Sequence, residues 1–189
     1  MEYVILMVGA ILVNNFVLSR FLGVCPFLGV SRRIETAMGM SGAVVVVMTL
    51  AAAMTWAMQT YMLKPFELEY FQTVAFILAI SALVQLIDIA MKRFTPSLHA
   101  GLGIFLPLLT TNCAILGVVV LNVKEDSFFK AVLFAFSAAV GFAFALLIFT
   151  GLRERIERAD PPRCFKGVAL SLITAGILSL AFMGFSGLV

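Results

Sequence analysis

Uncharged apolar stretches divide the chain into six blocks: Tyr3–Ser19, Thr36–Leu63, Tyr70–Ile87, Phe94–Val123, Ala131–Leu152 and Gly167–Val189. Each is near or above the roughly 17–25 apolar residues that cross a hydrocarbon core of about 30 Å. Lipid admits only helices or closed barrels, and these continuous runs lack the two-residue alternation of barrel strands. The pattern predicts an all-α integral membrane protein with six transmembrane helices. The first block has the character of a mature helix rather than a leader. Met1-Glu2-Tyr3 offers no basic segment, and the run continues through Asn14, Asn15 and Arg20 without a small-residue cleavage site.

Composition narrows the class further. Of 189 residues, 62% are hydrophobic and 12% charged, with 18 Phe and 10 Met. Soluble domains carry about 45–50% apolar and about 25% charged residues. Too few polar groups remain to cover a watery surface, which excludes a soluble enzyme, a nucleic-acid binder and a disordered chain. The lipid bilayer is the first partner. The net charge of +3 therefore speaks to topology. Loops one, three and five hold Arg20, Arg32, Arg33, Lys92, Arg93, Arg153, Arg155, Arg158, Arg163 and Lys166, whereas the other side holds Lys64, Lys124 and Lys130. Positive charge marks the cytoplasmic side, so both termini are expected outside.

A short repeat divides the chain in two. Cys25-Pro26-Phe27-Leu28-Gly29-Val30 matches Cys113-Ala114-Ile115-Leu116-Gly117-Val118 as C-x-x-L-G-V. Each copy lies in or just after the first span of a three-helix half, 1–93 or 94–189. Three is odd, so the second half enters the membrane from the opposite side. The halves then form an inverted repeat whose equivalent positions meet near the midplane. Cys113 precedes Lys124 by 11 residues, about 16 Å along a helix, which is mid-depth. Cys25 reaches that depth only if the first helix breaks, for which Gly23, Pro26 and Gly29 supply the means. Gly101, Gly103, Pro107 and Gly117 offer the same in the second half.

A lone membrane cysteine ordinarily acts as a small apolar filler. These two flank helix breakers and share their segments with Asn14, Asn15, Thr110, Thr111 and Asn112. Polar residues at such depth face a bundle interior or a functional site, with interhelical hydrogen bonding as the plain alternative. Two thiolates alone fill neither an iron–sulfur nor a structural zinc site, each of which takes four ligands. His99, near the cytoplasmic end of the fourth span, is too far to help. A metal centre here needs two more ligands from another chain, and a disulfide is the competing possibility.

At these residues the chain resembles the RnfA/NqrE family of membrane subunits of ion-translocating redox complexes. The segments that carry the resemblance are Val13–Leu18, Phe21–Phe27, Glu35–Met40, Leu109–Ala114 and Leu172–Gly176 with Met183–Gly187, and the pattern fits the family's A-type members better than the E-type ones they pair with. The resemblance implies one [2Fe–2S] cluster shared between this chain and a homologous E-type partner, two cysteines from each, with Cys25 and Cys113 as the ligands here. Asn15, Arg20 and Asn112 would lie near it. It further implies ferredoxin- and NAD-linked electron transfer coupled to Na+ or H+ movement, through a non-autonomous subunit of an oxidoreductase in the bacterial cytoplasmic (inner) membrane. The other partners would be the B, C, D and G components of the Rnf complex, and flavins would reside only in other subunits.

Arg20 and Asp88 have two readings each, and Cys164 has one. Arg20 either snorkels to the interface or stabilises a reduced cluster. Asp88 either pairs with Lys92 four residues on or serves an ion path. Cys164, after Pro161-Pro162, is a free thiol in a reducing cytoplasm. From other classes of function, a small transporter binding a solute at the midplane and a purely structural scaffold also fit six spans.

Overall fold

The computed structural model describes Met7 and residues 9–13, 15–31, 33–65, 69–94, 106–123, 127–159 and 167–184. Every regular element among them is helical. A π-helical turn, Gly9–Val13, leads to α1 (Phe16–Arg20) and α2 (Val24–Gly29). Then come α3 (Ile34–Met58, prolonged by a π-helical turn Gln59–Leu63) and α4 (Gln72–Phe94). The second half holds α5 (Leu106–Thr110), α6 (Cys113–Asn122), α7 (Phe128–Arg158) and α8 (Val168–Met183).

Three helices are long and apolar enough to cross a membrane: Ile34–Leu63, Gln72–Arg93 and Phe128–Arg158, with mean hydropathies of 1.9 to 2.6. They correspond to the second, third and fifth apolar blocks. At 1.5 Å per residue, the 31 residues of α7 span about 46 Å, more than the hydrocarbon core. Its last turns therefore carry Arg153–Arg158 into the interface. The first and fourth blocks are not continuous helices. Their described residues form short helical segments, and α8 supplies 16 residues of the sixth block.

Helices α3 and α7 form the centre, with α6 packed on both. Their contact surfaces are small: Ala37, Ala51 and Ala52 on α3 lie with Ala135, Ala139 and Ala145 of α7 in one buried cluster. Lipid tails are as apolar as the helices, so close backbone approach through small residues supplies the association energy. Several buried hydroxyls are satisfied within their own helices: Ser41, Thr55 and Thr150 each donate to the carbonyl four residues back. Helix α4 lies at the periphery, with Val74, Leu78, Leu86 and Ile89 exposed.

Of the glycines and prolines expected to break these helices, Gly23 stands at a break and the other described ones lie inside helices. The first break is at Phe21–Gly23, where Phe21 and Gly23 take φ of 54° and 86°. Pro26 belongs to the first turn of α2, where a missing N–H costs nothing. The second break is at Thr111–Asn112, directly after α5. Pro107 lies inside α5 and Gly117 inside α6, while Gly101 and Gly103 lie outside the described residues.

Candidate functional site: two helix breaks that meet at a cysteine

The first break begins at Asn15, 1% exposed. Its Oδ1 accepts the Val17 N–H at 3.2 Å and so caps α1. Its Nδ2 donates to the Gly141 carbonyl of α7 at 2.8 Å and to the Ile11 carbonyl at 3.3 Å. After Arg20 the chain turns through two left-handed residues, a conformation that is an outlier for bulky Phe21 and easy for Gly23. Helix α2 then starts without a side-chain cap, and Cys25 is its second residue, exposed on the chain.

Three of the C-terminal carbonyls of α2 have donors. Pro26 O accepts from Val30 N at 2.9 Å, and Phe27 O accepts from the Ser31 hydroxyl. Leu28 O accepts from Arg153 Nη1 at 3.2 Å, and that same nitrogen donates to Ser31 Oγ at 2.7 Å. The Phe27 ring lies 5.8 Å from Phe142 and 5.2 Å from Phe149, centroid to centroid.

The second break is built locally. Asn112 takes φ −71° and ψ 111°, and its Oδ1 caps α6 by accepting the Ala114 N–H at 3.0 Å. Cys113 is the first residue of α6 and is half-buried.

The two breaks meet. The backbone N–H of Gly23 donates to Cys113 Sγ at 2.9 Å, so the sulfur of the second motif lies against the turn that leads into Cys25. A Cβ at Gly23 would stand 2.9 Å from Ala114 Cβ and 3.0 Å from the Phe142 ring. Leu22 presses on Gly117 so closely that a Cβ there would be 2.8 Å from Leu22 Cδ1. Beside Cys113 lies a cavity of about 270 Å³ lined by Ile77, Ile80, Thr110, Thr111, Asn112 and Leu116 as well as the cysteine. Asn112 is 4% exposed, and among the described residues its Nδ2 is buried without a hydrogen-bond partner. A buried unmade donor is costly unless something accepts from it.

This donor set fits half of a four-thiolate cluster site. Two unpaired thiols could supply two of the ligands, and a backbone N–H on one sulfur and a buried amide unpaired among the described residues could donate to the group. Among the described residues no group of three or more His, Cys, Asp or Glu is gathered.

Of the residues singled out in the sequence, Cys113 and Asn112 stand together against the turn before Cys25. Asn15 is committed to capping α1 and to α7. Arg20 ends α1 and is exposed. Asp88 is paired with Lys92 at 2.8 Å, the ion-pair reading of the two. Asn14, His99 and Cys164 lie outside the described residues. Sequence reasoning counted Arg153 only as a loop charge, yet it is 6% exposed and holds α2. Its signal was available: it stands one position past an apolar block and four before Glu157, its partner at 3.0 Å.

A multi-pass helical membrane protein with paired, cysteine-bearing helix breaks is the class these features define. The chain belongs to the Rnf-Nqr family, described as "Rnf-Nqr subunit, membrane protein", which it matches over residues 3–189. It is 55% identical over 186 residues to the A component of the ion-translocating oxidoreductase complex of Syntrophotalea carbinolica, covering 98% of this chain and 96% of that one. Proteins of the same name from Shewanella piezotolerans and Vibrio vulnificus are 52% and 50% identical over 189 residues, covering 100% of this chain and 98% of each.

Proposed function

We propose that this chain is a membrane-embedded electron-relay subunit of an ion-translocating oxidoreductase, holding one side of a [2Fe–2S] cluster through Cys25 and Cys113. The observation that carries the reading is the Gly23 N–H to Cys113 Sγ hydrogen bond. It brings the turn just before the first repeated segment against the cysteine that opens the second, which supports a shared ligand site. The names of the 50–55% identical relatives support the oxidoreductase and ion-translocating parts.

In this reading the halves 1–93 and 94–189 are inverted repeats, and a homologous E-type partner supplies the other two thiolates. Held by Cys25 and Cys113, the cluster would supply one-electron transfer between cytoplasmic and outer cofactors. The chain's own residues do the rest. Gly23 N–H donates to Cys113 Sγ, and the buried Asn112 Nδ2 would be open to donate toward the cluster, both favouring the more negative reduced state. Phe27, Phe142 and Phe149 exclude water beside α2. The complex couples ferredoxin–NAD electron transfer to Na+ or H+ movement in the bacterial inner membrane, with the B, C, D and G components and their flavins as further partners. Both termini face outside, by the distribution of Lys and Arg.

The cavity beside Cys113 also suits the transporter reading, and purification separates the two. The purified complex should contain iron and acid-labile sulfide in a 1:1 ratio at this pair of chains, and the chain expressed alone should hold substoichiometric iron. A colourless chain that binds a solute by itself would contradict the relay.

A further inference from the structure

The short helix that carries Cys25 is held by a charge buried in the neighbouring half. Six residues are too few to be a stable helix on their own. Its N-terminus has no side-chain cap, and it follows two left-handed residues. What fixes it is α7. Arg153 donates through Nη1 to both Leu28 O and Ser31 Oγ, and Ser31 in turn donates to Phe27 O. Glu157 holds the other side of the guanidinium, 3.0 Å from Nε. Phe27 is clasped by Phe142 and Phe149 of the same helix.

A cation at a helix C-terminus interacts favourably with the helix dipole and its open carbonyls. In this place it does more than complete hydrogen bonds. An arginine so nearly buried at the membrane edge is costly unless its position serves something. Its contacts are on the far end of α2 from Cys25, so it sets the axial position and tilt of that helix. The turn at Gly23, which donates to Cys113, is the other end of the same rigid piece.

We infer that Arg153 is a positioning residue for Cys25: with Ser31 and Glu157 it clamps the C-terminus of α2 to α7 and thereby fixes where the Cys25 thiolate stands relative to Cys113. The inference rests on the ligand reading above for its redox consequence, and on α2 alone for its mechanical one. It predicts that the clamp governs a property of the cluster and not merely the yield of protein.

The test uses the assembled complex carrying Arg153→Met, Arg153→Lys, Ser31→Ala or, as control, Glu154→Gln, which removes a pair with Arg158 on the same helix. Two quantities are read. Amide exchange over residues 24–31 is measured in the cluster-free complex, and the EPR line shape and midpoint potential of the cluster are measured in the loaded one. Arg153→Met should speed exchange over 24–31 by about tenfold, the factor for losing roughly one buried charged hydrogen bond, with residues 113–122 unchanged. It should also broaden the EPR signal and shift the potential. Arg153→Lys, which keeps a donor, should restore most of both, and Glu154→Gln should resemble the wild type.

Unchanged exchange, or faster exchange with an unaltered signal and potential, overturns the positioning role while Cys25→Ala still loses the cluster. Retention of the full cluster signal by Cys25→Ala instead overturns the ligand reading, whatever Arg153 does. Should Arg153→Met fail to assemble, Ser31→Ala and Arg153→Lys decide by the same two readouts.

Discussion

The two helix breaks bear the same C-x-x-L-G-V segment and are built by opposite means. The second is local: an asparagine in ordinary extended geometry caps a ten-residue helix, and the cysteine follows at once. The first is assembled from a distance. Its backbone passes through two left-handed residues, its helix has six residues, and its supports are Gly141, Phe142, Phe149 and Arg153 of α7. One cysteine is placed by its own neighbours in sequence, the other by a helix more than 100 residues away. A repeat in sequence thus repeats the chemistry without repeating the mechanics. The half with the strained turn needs the other half to hold it.

The largest expected effect treats the two sites as one. Cys25→Ala and Cys113→Ala should each abolish ferredoxin- or NADH-linked electron flow in membranes, and the double variant should be no worse than either, as for groups acting as a unit. Cys164→Ala should leave flow near normal. Additive partial losses would separate the two breaks functionally.

Next is the strained turn. Gly23→Ala places a Cβ 2.9 Å from Ala114 Cβ in a left-handed conformation. The conformation costs about 1–2 kcal/mol and the overpacking about 1–3 kcal/mol more. Denaturation of the complex should show a loss of that size. No loss would mean that the first break does not depend on its contact with the second.

Smaller effects distinguish distant from local support. Asn15→Ala removes the bond to Gly141 O and the α1 cap, costing about 1–3 kcal/mol. Asn112→Ser keeps a capping oxygen and should cost under about 1 kcal/mol. It removes the buried Nδ2 donor, however, so the cluster's midpoint potential should fall in a redox titration. Smallest is Asp88→Asn. Its pair with Lys92 is half-exposed and contributes about 0.2–0.5 kcal/mol, so ion transport by reconstituted vesicles should stay within about twofold of the wild type. A severe loss there would revive Asp88 as an ion-path carboxylate.

Much of this was legible in the sequence, and what was not has a common cause. The three uninterrupted spans follow from apolar runs alone, because lipid demands internal hydrogen bonding at every residue. The need for a break before Cys25 was legible from depth. Its location was legible in part: Gly23 stands at the bend as the glycine pattern predicts, whereas Pro26 is harmless in a first helical turn, and no propensity announces the left-handed geometry of Phe21. Asn112 was visible as a polar residue beside a cysteine. Its double role, one side capping α6 and the other left as an unpaired donor, appears only when the neighbouring segments are in place. Arg153 was hidden among loop charges because its importance comes from Leu28 and Ser31, some 120 residues earlier. Local pattern disclosed the site that is locally built and missed the supports of the one that is not.

In the relay reading both cysteines ligate one cluster. The measurement that tests it most directly is the EPR spectrum of the reduced, purified complex, together with its iron and sulfide content, for the wild type, Cys25→Ala and Cys113→Ala. Loss of the same [2Fe–2S] signal, and of the same two irons and two sulfides, in both variants is the predicted result. A signal of wild-type intensity and shape in either variant would contradict it.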